Sequence, residues 1–185
     1  MPTALLLIDI QNDYFPGGAM ELAGMTQAAA KARELLTAFR QARRPIFHVQ
    51  HLALGPGATF FRPDTPGVEI NESVRPLPGE PLIQKHYPNA FRDTDLKEAL
   101  TKAGVEEGII AGAMSHMCID ATTRAGFDYG FTCTVIHDAC ASRNLSFEGR
   151  TIPAGQVHGA FMAALGMRYA RILSLKEFLN SFQHS

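Results

Sequence analysis

The stretch Ile109-Ile110-Ala111-Gly112-Ala113-Met114-Ser115-His116-Met117-Cys118-Ile119-Asp120-Ala121-Thr122-Thr123-Arg124 decides the fold class of this chain. It reads as an apolar run, a turn of small residues and then a helical pattern that begins at Cys118, which is how a parallel sheet carries a reactive side chain to its rim. A thiol in the first turn of a helix faces unpaired N–H groups and the positive end of the helix dipole, and both favour the thiolate. Cys118 is therefore the leading candidate nucleophile. The alternative is that it fills space under the helix as a small apolar side chain.

Apolar strands alternate with helical segments on both sides of this stretch. The continuously apolar residues 4–8 predict a central parallel strand that is covered on both faces, and further strands are predicted at 45–49, 81–85, 107–112, 131–136 and 170–173. Helices are predicted at 27–41, 94–103, 118–129, 153–167 and 175–182. This alternation predicts a Rossmann-like α/β fold, in which a mostly parallel six-stranded sheet lies between two layers of helices (α/β/α). Since no repeat or linker divides the chain, we expect one domain over residues 1–185.

Three residues with reactive side chains fall at the ends of predicted strands. Asp9 ends the first strand, Lys85 ends the third, and the fourth leads into Cys118. Because parallel strands end at the same edge of a sheet, we expect these side chains to meet there, although each alone is typical of a loop cap or a solvated charge. In that arrangement Lys85 stabilises the thiolate, and Asp9 takes the thiol proton and returns it to a departing amine.

The segment 51–81 shows no helical or strand period and is interrupted repeatedly by proline and glycine. A loop of about 30 residues in a compact domain usually serves as a lid, a binding loop or a subunit contact. Its Phe60 and Phe61 are predicted either to close over a substrate or to pack against a neighbouring subunit. Other side chains near the three reactive residues are predicted to shape the pocket, with the hydrophobic core as the alternative for the two phenylalanines: Tyr14, Phe15, Phe91 and His116.

Composition excludes several classes of function. The chain has 17 Lys and Arg against 18 Asp and Glu, without a run of like charge, so neither a nucleic acid nor a membrane is expected as a partner. The start Met1-Pro2-Thr3 carries no basic region, and residues 4–8 are too short for a signal core, so we expect a cytoplasmic protein. Its three cysteines form no CxxC pair, which indicates neither a disulfide framework nor a zinc site.

Three motifs in this chain resemble those of the isochorismatase-like cysteine hydrolases, over residues 4–178. They are Leu6-Leu7-Ile8-Asp9-Ile10-Gln11-Asn12-Asp13-Tyr14-Phe15, Gln84-Lys85-His86-Tyr87-Pro88-Asn89-Ala90-Phe91 and the segment 111–124 quoted above. The resemblance implies a catalytic triad of Asp9, Lys85 and Cys118. It also implies a cis peptide bond between Ala113 and Met114, with the backbone N–H groups of Met114 and Cys118 forming an oxyanion hole.

The same resemblance implies the reaction. The thiolate attacks the carbonyl of a small-molecule amide, an amine or ammonia leaves, and water activated by Asp9 hydrolyses the thioester. No cofactor is expected. A homo-oligomer, either a dimer or a tetramer, is expected from the family.

Several alternatives stay open. Nicotinamidases of this family bind a metal through an Asp-x-His motif and a further His, but residues 45–62 contain no Asp or Glu, so we expect no metal, and His48 and His51 are interpreted as polar lining. Some relatives hydrolyse the vinyl ether of isochorismate without a thiol, and a catalytically silent binding protein could share the fold. A papain-like pairing of Cys118 with His116 or His137 is a further alternative mechanism.

Overall fold

A six-stranded parallel sheet forms the centre of the computed structural model, which describes residues 1–182. The strands, in chain order, are β1 (Thr3–Ile8), β2 (Ile46–His51), β3 (Leu82–Lys85), β4 (Glu107–Ala113), β5 (Thr132–Ala141), β6 (Leu145–Phe147), β7 (Arg150–Ile152) and β8 (Arg171–Leu173). All but β6 and β7 form the sheet, in the order β3-β2-β1-β4-β5-β8, and each neighbouring pair is parallel. The order changes direction between β1 and β4, which places a crevice at their carboxyl ends.

Helices cover both faces of the sheet. In chain order they are α1 (Met25–Gln41), α2 (Leu96–Lys102), α3 (Asp120–Asp128), α4 (Ala154–Gly166) and α5 (Leu175–Phe182). The buried residues of α1 and α5 pack in one core, and those of α2 pack in the other together with Met162 and Leu165 of α4. This three-layer α/β/α arrangement confirms the predicted fold class.

The central strand β1 explains why its sequence is apolar without alternation. Leu5 and Leu7 point into the core under α1, whereas Leu6 and Ile8 point into the core on the opposite face. All four side chains are at most 2% exposed. A strand that is covered on both faces has no solvent-facing positions for polar residues.

Three strands, β5, β6 and β7, differ most from the sequence-based prediction. β5 runs to Ala141 instead of ending at residue 136, because its pairing with β4 resumes beyond an irregularity, with Gly112 opposite Cys140. β6 and β7 form an antiparallel hairpin that the sequence analysis did not predict. Its two-residue turn, Glu148 and Gly149, has positive φ at both positions, which is typical of the type I′ turn of hairpins.

The segment 51–81 is more ordered than predicted. β2 extends to His51, and two 3₁₀ turns, Pro66–Val68 and Glu72–Val74, follow. Ile70 forms an antiparallel bridge with Gln11, so the segment folds back onto the loop after β1.

None of the helices in residues 1–182 is long and apolar enough to cross a membrane. The single domain expected over residues 1–185 stays a prediction, and its residues 183–185 lie outside the described part of the chain.

Candidate active site

The carboxyl ends of the strands bring Asp9, Lys85 and Cys118 into one cluster. Asp9 follows β1, Lys85 is the last residue of β3, and Cys118 lies in the π-helical turn Ser115–Ile119 that follows β4. The Lys85 Nζ atom lies 2.8 Å from Asp9 Oδ2 and 3.2 Å from Cys118 Sγ. Asp9 and Lys85 are fully buried, and Cys118 is 3% exposed. The three side chains therefore form a closed acid–ammonium–thiol cluster.

Local backbone geometry directs two of these side chains to the cluster. Asp9 has φ of 53°, so the chain turns sharply where β1 ends. Gly112, near the end of β4, has φ of 131°, and a Cβ atom there would overlap the carbonyl oxygen of Ile8. Only glycine allows β4 to approach β1 this closely. Beyond it the Ala113–Met114 peptide bond is cis, and the Met114 carbonyl accepts hydrogen bonds from the N–H groups of Met117 and Ile119.

The Lys85 ammonium is surrounded by acceptors. Besides Asp9 and Cys118, it reaches His51 Nδ1 at 2.9 Å and the backbone carbonyl oxygen of Tyr87 at 3.1 Å. Burial alone would lower the pKa of Lys85, but the negative charge of Asp9 and the adjacent sulfur raise it above its ordinary value. Lys85 is therefore charged at neutral pH.

The surroundings of the Cys118 sulfur raise the pKa of its thiol. Burial raises the pKa of its thiol, the charge of Asp9 raises it further, and Lys85 opposes both effects only in part. From the sequence, the helix start and Lys85 are expected to favour the thiolate. The structure differs because the thiol is buried in the π-helical turn ahead of α3, where desolvation of the sulfur outweighs the attraction of the ammonium.

His51 is a residue of this cluster that the sequence analysis assigned only to the lining. It ends β2 opposite Lys85 in the register of β2 with β3, and its Nδ1 lies 3.9 Å from Asp9 Oδ2. Burial, together with the positive charge of Lys85, lowers the pKa of His51 to about 4. The imidazole is thus neutral at pH 7, and Nδ1 can accept a hydrogen bond from Lys85. The strand-end argument that located Lys85 could also have located His51.

The cluster contains three side chains of the types that bind metal ions in other proteins. Ligand atoms of Asp9, His51 and Cys118 all lie within 4.8 Å of one another. The Lys85 ammonium, however, lies within 3.2 Å of one atom of each of these side chains, so a metal ion would have to displace it. His48 does not join this set, because it points to the other side of β2 and binds Glu80 at 2.8 Å.

Part of the long segment packs against the cluster. The Phe61 ring lies 4.5 Å from the Tyr14 ring and 5.9 Å from the His51 ring, and Phe60 lies 6.0 Å from Tyr14. The backbone N–H of Phe61 donates to Asp13 Oδ2 at 2.6 Å. Burial above all, with the nearby Asp9 carboxylate adding to it, raises the pKa of Tyr14, which is 1% exposed. The Phe60–Phe61 pair therefore lies against Tyr14, and Phe61 also lies against His51 of the cluster.

The other predicted pocket residues lie in different surroundings. Phe15 is half-buried against the core under α1. Phe91 belongs to the core on the opposite face, where its ring contacts those of Tyr129 and Phe131. His116 is half-buried, and its Nδ1 pairs with Ser142 Oγ at 2.9 Å. Their assignment to a substrate pocket stays a prediction.

No side-chain hydrogen bond within residues 1–182 joins Cys118 to a histidine. Its sulfur accepts a hydrogen bond from Lys85 Nζ at 3.2 Å. The His137 ring instead faces that of His158, with centroids 6.5 Å apart. The papain-like alternative therefore has no geometric support in the described part of the chain.

Comparison with known proteins gives consistent results. The family model for the isochorismatase domain matches residues 3–159. The isochorismatase family protein YddQ of Bacillus subtilis is 52% identical over 179 residues, which are 97% of this chain and 99% of YddQ. A solved structure of an isochorismatase-type hydrolase from Oleispira antarctica has a TM-score of 0.93 and 48% identity, and covers 97% of this chain and 96% of that one.

Two more distant relatives carry a named activity. A streptothricin hydrolase of Streptomyces noursei is 34% identical over 166 residues, which are 88% of this chain and 59% of the relative. A ureidoacrylate amidohydrolase of Stutzerimonas stutzeri is 27% identical over 170 residues, 74% of this chain and 68% of the relative.

Proposed function

This chain belongs to the isochorismatase family of hydrolases, and from that membership we propose that it hydrolyses a small amide or ureido C–N bond through a thioester on Cys118. The observation that carries the proposal is the position of the Lys85 ammonium, which lies within 3.2 Å of both the Asp9 carboxylate and the Cys118 sulfur. A buried cluster of acid, cation and thiol contains the proton acceptor, the charge and the nucleophile that acyl transfer requires.

The first half of the proposed reaction moves one proton twice. The Cys118 thiol gives its proton to Asp9 as the sulfur attacks the carbonyl carbon, and the carbonyl electron pair moves onto oxygen. The backbone N–H groups of Met114 and Cys118 are the proposed donors to this oxyanion. When the oxyanion collapses, the C–N bond breaks, and Asp9 returns the proton to the departing nitrogen. The products are a thioester and a free amine or ammonia.

The second half regenerates the thiol. Asp9, again a carboxylate, takes a proton from a water molecule as that water attacks the thioester carbonyl. Collapse of this second tetrahedral intermediate breaks the C–S bond, and the proton on Asp9 goes to the sulfur. The acid product leaves. Bonds and protons balance without a cofactor.

Lys85 acts in both halves of the proposed reaction, because its ammonium lies close to each of the two side chains that carry negative charge in turn. Before attack the charge is on Asp9, 2.8 Å from Nζ, and as the proton leaves the thiol, negative charge develops on the sulfur, 3.2 Å from the same atom, until the new C–S bond passes it to the carbonyl oxygen. The ammonium can therefore stabilise each state in turn without a large movement, which is the advantage of a preorganised charge in a buried site.

Ammonia release from a panel of small carboxamides and ureido acids tests the proposal. Isochorismate, whose hydrolysis breaks a C–O bond and releases no ammonia, is assayed separately by loss of the substrate for the vinyl-ether alternative. Turnover of an amide that disappears in Cys118→Ala supports it. Turnover of isochorismate alone, or amide turnover that Cys118→Ala retains, contradicts it. A catalytically silent binding protein would give no turnover, and its Cys118 would react with no carbonyl electrophile. The expected homo-oligomer is part of the same proposal, and light scattering measures its mass.

A further inference from the structure

We propose that His51 is the positioning residue of this site, since its Nδ1 atom holds the Lys85 ammonium between Asp9 and Cys118. The inference rests on the proposed function, and it goes beyond the Asp9-Lys85-Cys118 triad by adding a fourth side chain that acts on the reaction through Lys85. Three sets of contacts, on the backbone, the ring and the ring nitrogen of His51, support it.

The backbone of His51 is held by a buried amide. The side chain of Gln11, which is fully buried, accepts a hydrogen bond from the N–H of His51 at 2.8 Å and donates to its carbonyl oxygen at 2.9 Å. The same Gln11 amide donates to the carbonyl oxygen of Val68 at 2.7 Å. Gln11 thus joins the end of β2 to the long segment, and both peptide groups of His51 are held by one side chain.

The ring of His51 is held from two sides. Phe61 packs against it with a centroid distance of 5.9 Å, and Lys85 Nζ lies 2.9 Å from Nδ1. An ammonium has three N–H donors and no acceptor, so Nδ1 must carry a lone pair and the proton of the neutral ring must be on Nε2. The low pKa of His51, about 4, agrees with a ring that stays neutral beside a cation.

The number of acceptors around Lys85 indicates the role of the contact between His51 Nδ1 and Lys85 Nζ. Nζ has four acceptors within 3.2 Å, on Asp9, His51, Tyr87 and Cys118, for three N–H groups. Asp9 and Cys118 are the atoms between which charge moves, whereas His51 and the Tyr87 carbonyl stay neutral throughout. His51 and the Tyr87 carbonyl therefore hold Nζ in place while a proton moves between Cys118 and Asp9. Without Nδ1, three acceptors still serve the three N–H groups, but the Tyr87 carbonyl is then the one neutral anchor among them, so the attraction of the Asp9 carboxylate can draw Nζ away from the sulfur.

Two substitutions at His51 separate this role from packing. His51→Asn keeps an acceptor oxygen near the position of Nδ1, and His51→Leu removes the acceptor but fills more of the ring's volume. A positioning role predicts that Asn preserves function better than Leu, whereas a packing role predicts the opposite order. His51→Gln, whose amide extends to the position of Nε2, serves as a second variant without an acceptor at Nδ1 if the Leu variant does not fold.

The first readout is the rate of alkylation of Cys118 by iodoacetamide, located by mass spectrometry on the full-length chain. It needs no substrate, so it tests the inference even if no amide is hydrolysed. We expect alkylation to slow about 10- to 100-fold in His51→Leu and to stay within about threefold of wild type in His51→Asn, because a misplaced ammonium no longer stabilises the thiolate.

The second readout uses the amide that the panel identifies. We expect kcat to fall with alkylation in His51→Leu, with KM nearly unchanged, and His51→Asn to restore kcat. Equal losses in the Asn and Leu variants, or a Leu or Gln variant that matches wild type in alkylation, would overturn the positioning role. Retention of amide turnover by Cys118→Ala would overturn the proposed function instead, and the alkylation rates would still decide the role of His51.

Discussion

Lys85 Nζ and Asp9 Oδ2 are 2.8 Å apart, and both side chains are fully buried. In a buried ion pair each charge compensates the other, so removing one partner leaves an unpaired charge in the protein interior. We therefore expect Lys85→Met to destabilise the fold by about 3–5 kcal/mol and to abolish amide turnover. Chemical denaturation and the ammonia assay measure the two effects.

The double variant Asp9→Asn with Lys85→Met is the matched control for this pair. Because it removes both charges, it should recover most of the lost stability without recovering activity. If the double variant is as unstable as the single one, packing around Lys85 rather than charge compensation holds the pair in place.

Cys118 is expected to be the reactive thiol among three buried cysteines. Cys118→Ala should abolish turnover while the melting temperature changes little, because the removed sulfur is small. Cys133→Ala serves as the control: Cys133 is also buried, but its sulfur faces the carbonyl oxygen of Thr123 at 3.7 Å. Turnover in Cys133→Ala should stay near the wild-type value. Equal losses in both variants would indicate a folding defect instead of chemistry.

Asp13 anchors the segment that carries Phe61. Its Oδ2 accepts from the Phe61 N–H at 2.6 Å, and its Oδ1 accepts from the Ala19 N–H at 3.2 Å. Asp13→Ala should release this segment, lower kcat/KM about tenfold or more and expose the segment to limited proteolysis, because a buried N–H loses a charged acceptor. Asp64→Asn, in the same segment but exposed, should leave both measurements unchanged. Unaltered proteolysis in Asp13→Ala would contradict the anchoring role.

Gly112 and Gly108 lie in the same strand and give a paired test of close approach. A Cβ at Gly112 would overlap the Ile8 carbonyl oxygen, and φ there is 131°, whereas a Cβ at Gly108 would meet the Leu6 side chain at 3.4 Å. Gly112→Ala should therefore destabilise the fold by more than about 2 kcal/mol and disturb the Cys118 turn, and Gly108→Ala should cost about 1 kcal/mol or less. Denaturation curves compare the two, and similar losses would contradict the argument.

Strand ends predicted that Asp9, Lys85 and Cys118 lie together, but the same reasoning did not extend to His51. The sequence pattern ended β2 at residue 49, but the strand runs to His51, which places that residue opposite Lys85. Local sequence patterns locate strand ends only to within a few residues. Here the predicted end of β2 lies two residues before its actual end, and this error left His51 out of the predicted site. The raised pKa of Cys118 was missed for another reason: a motif reveals the helix start and the nearby cation, but the burial of the sulfur, which raises this pKa, depends on the whole fold.

The lowered pKa of Glu80 makes the stability of the fold depend on pH. Its carboxylate is 13% exposed and accepts hydrogen bonds from Arg40 at 2.7 and 2.8 Å and from the N–H of Leu77, with His48 Nε2 at 2.8 Å. Burial would raise its pKa, but these partners, Arg40 first, lower it to about 2, from 4.5 in an exposed chain. The folded state thus holds the carboxylate ionised under conditions in which the unfolded chain binds a proton.

The contribution of Glu80 is therefore complete above pH 4.5 and is lost as the pH falls from 4.5 toward 2. A shift of this size corresponds to no more than about 3 kcal/mol. We expect Glu80→Gln to have a lower free energy of unfolding than wild type at pH 7, and the difference between the two proteins to be smaller at pH 3. Urea unfolding at pH 7 and at pH 3 measures both. Glu106→Gln, an exposed control, should track wild type throughout. A gap of constant size would mean that shape and hydrogen bonding at residue 80, and not its charge, stabilise the Arg40 and His48 contacts.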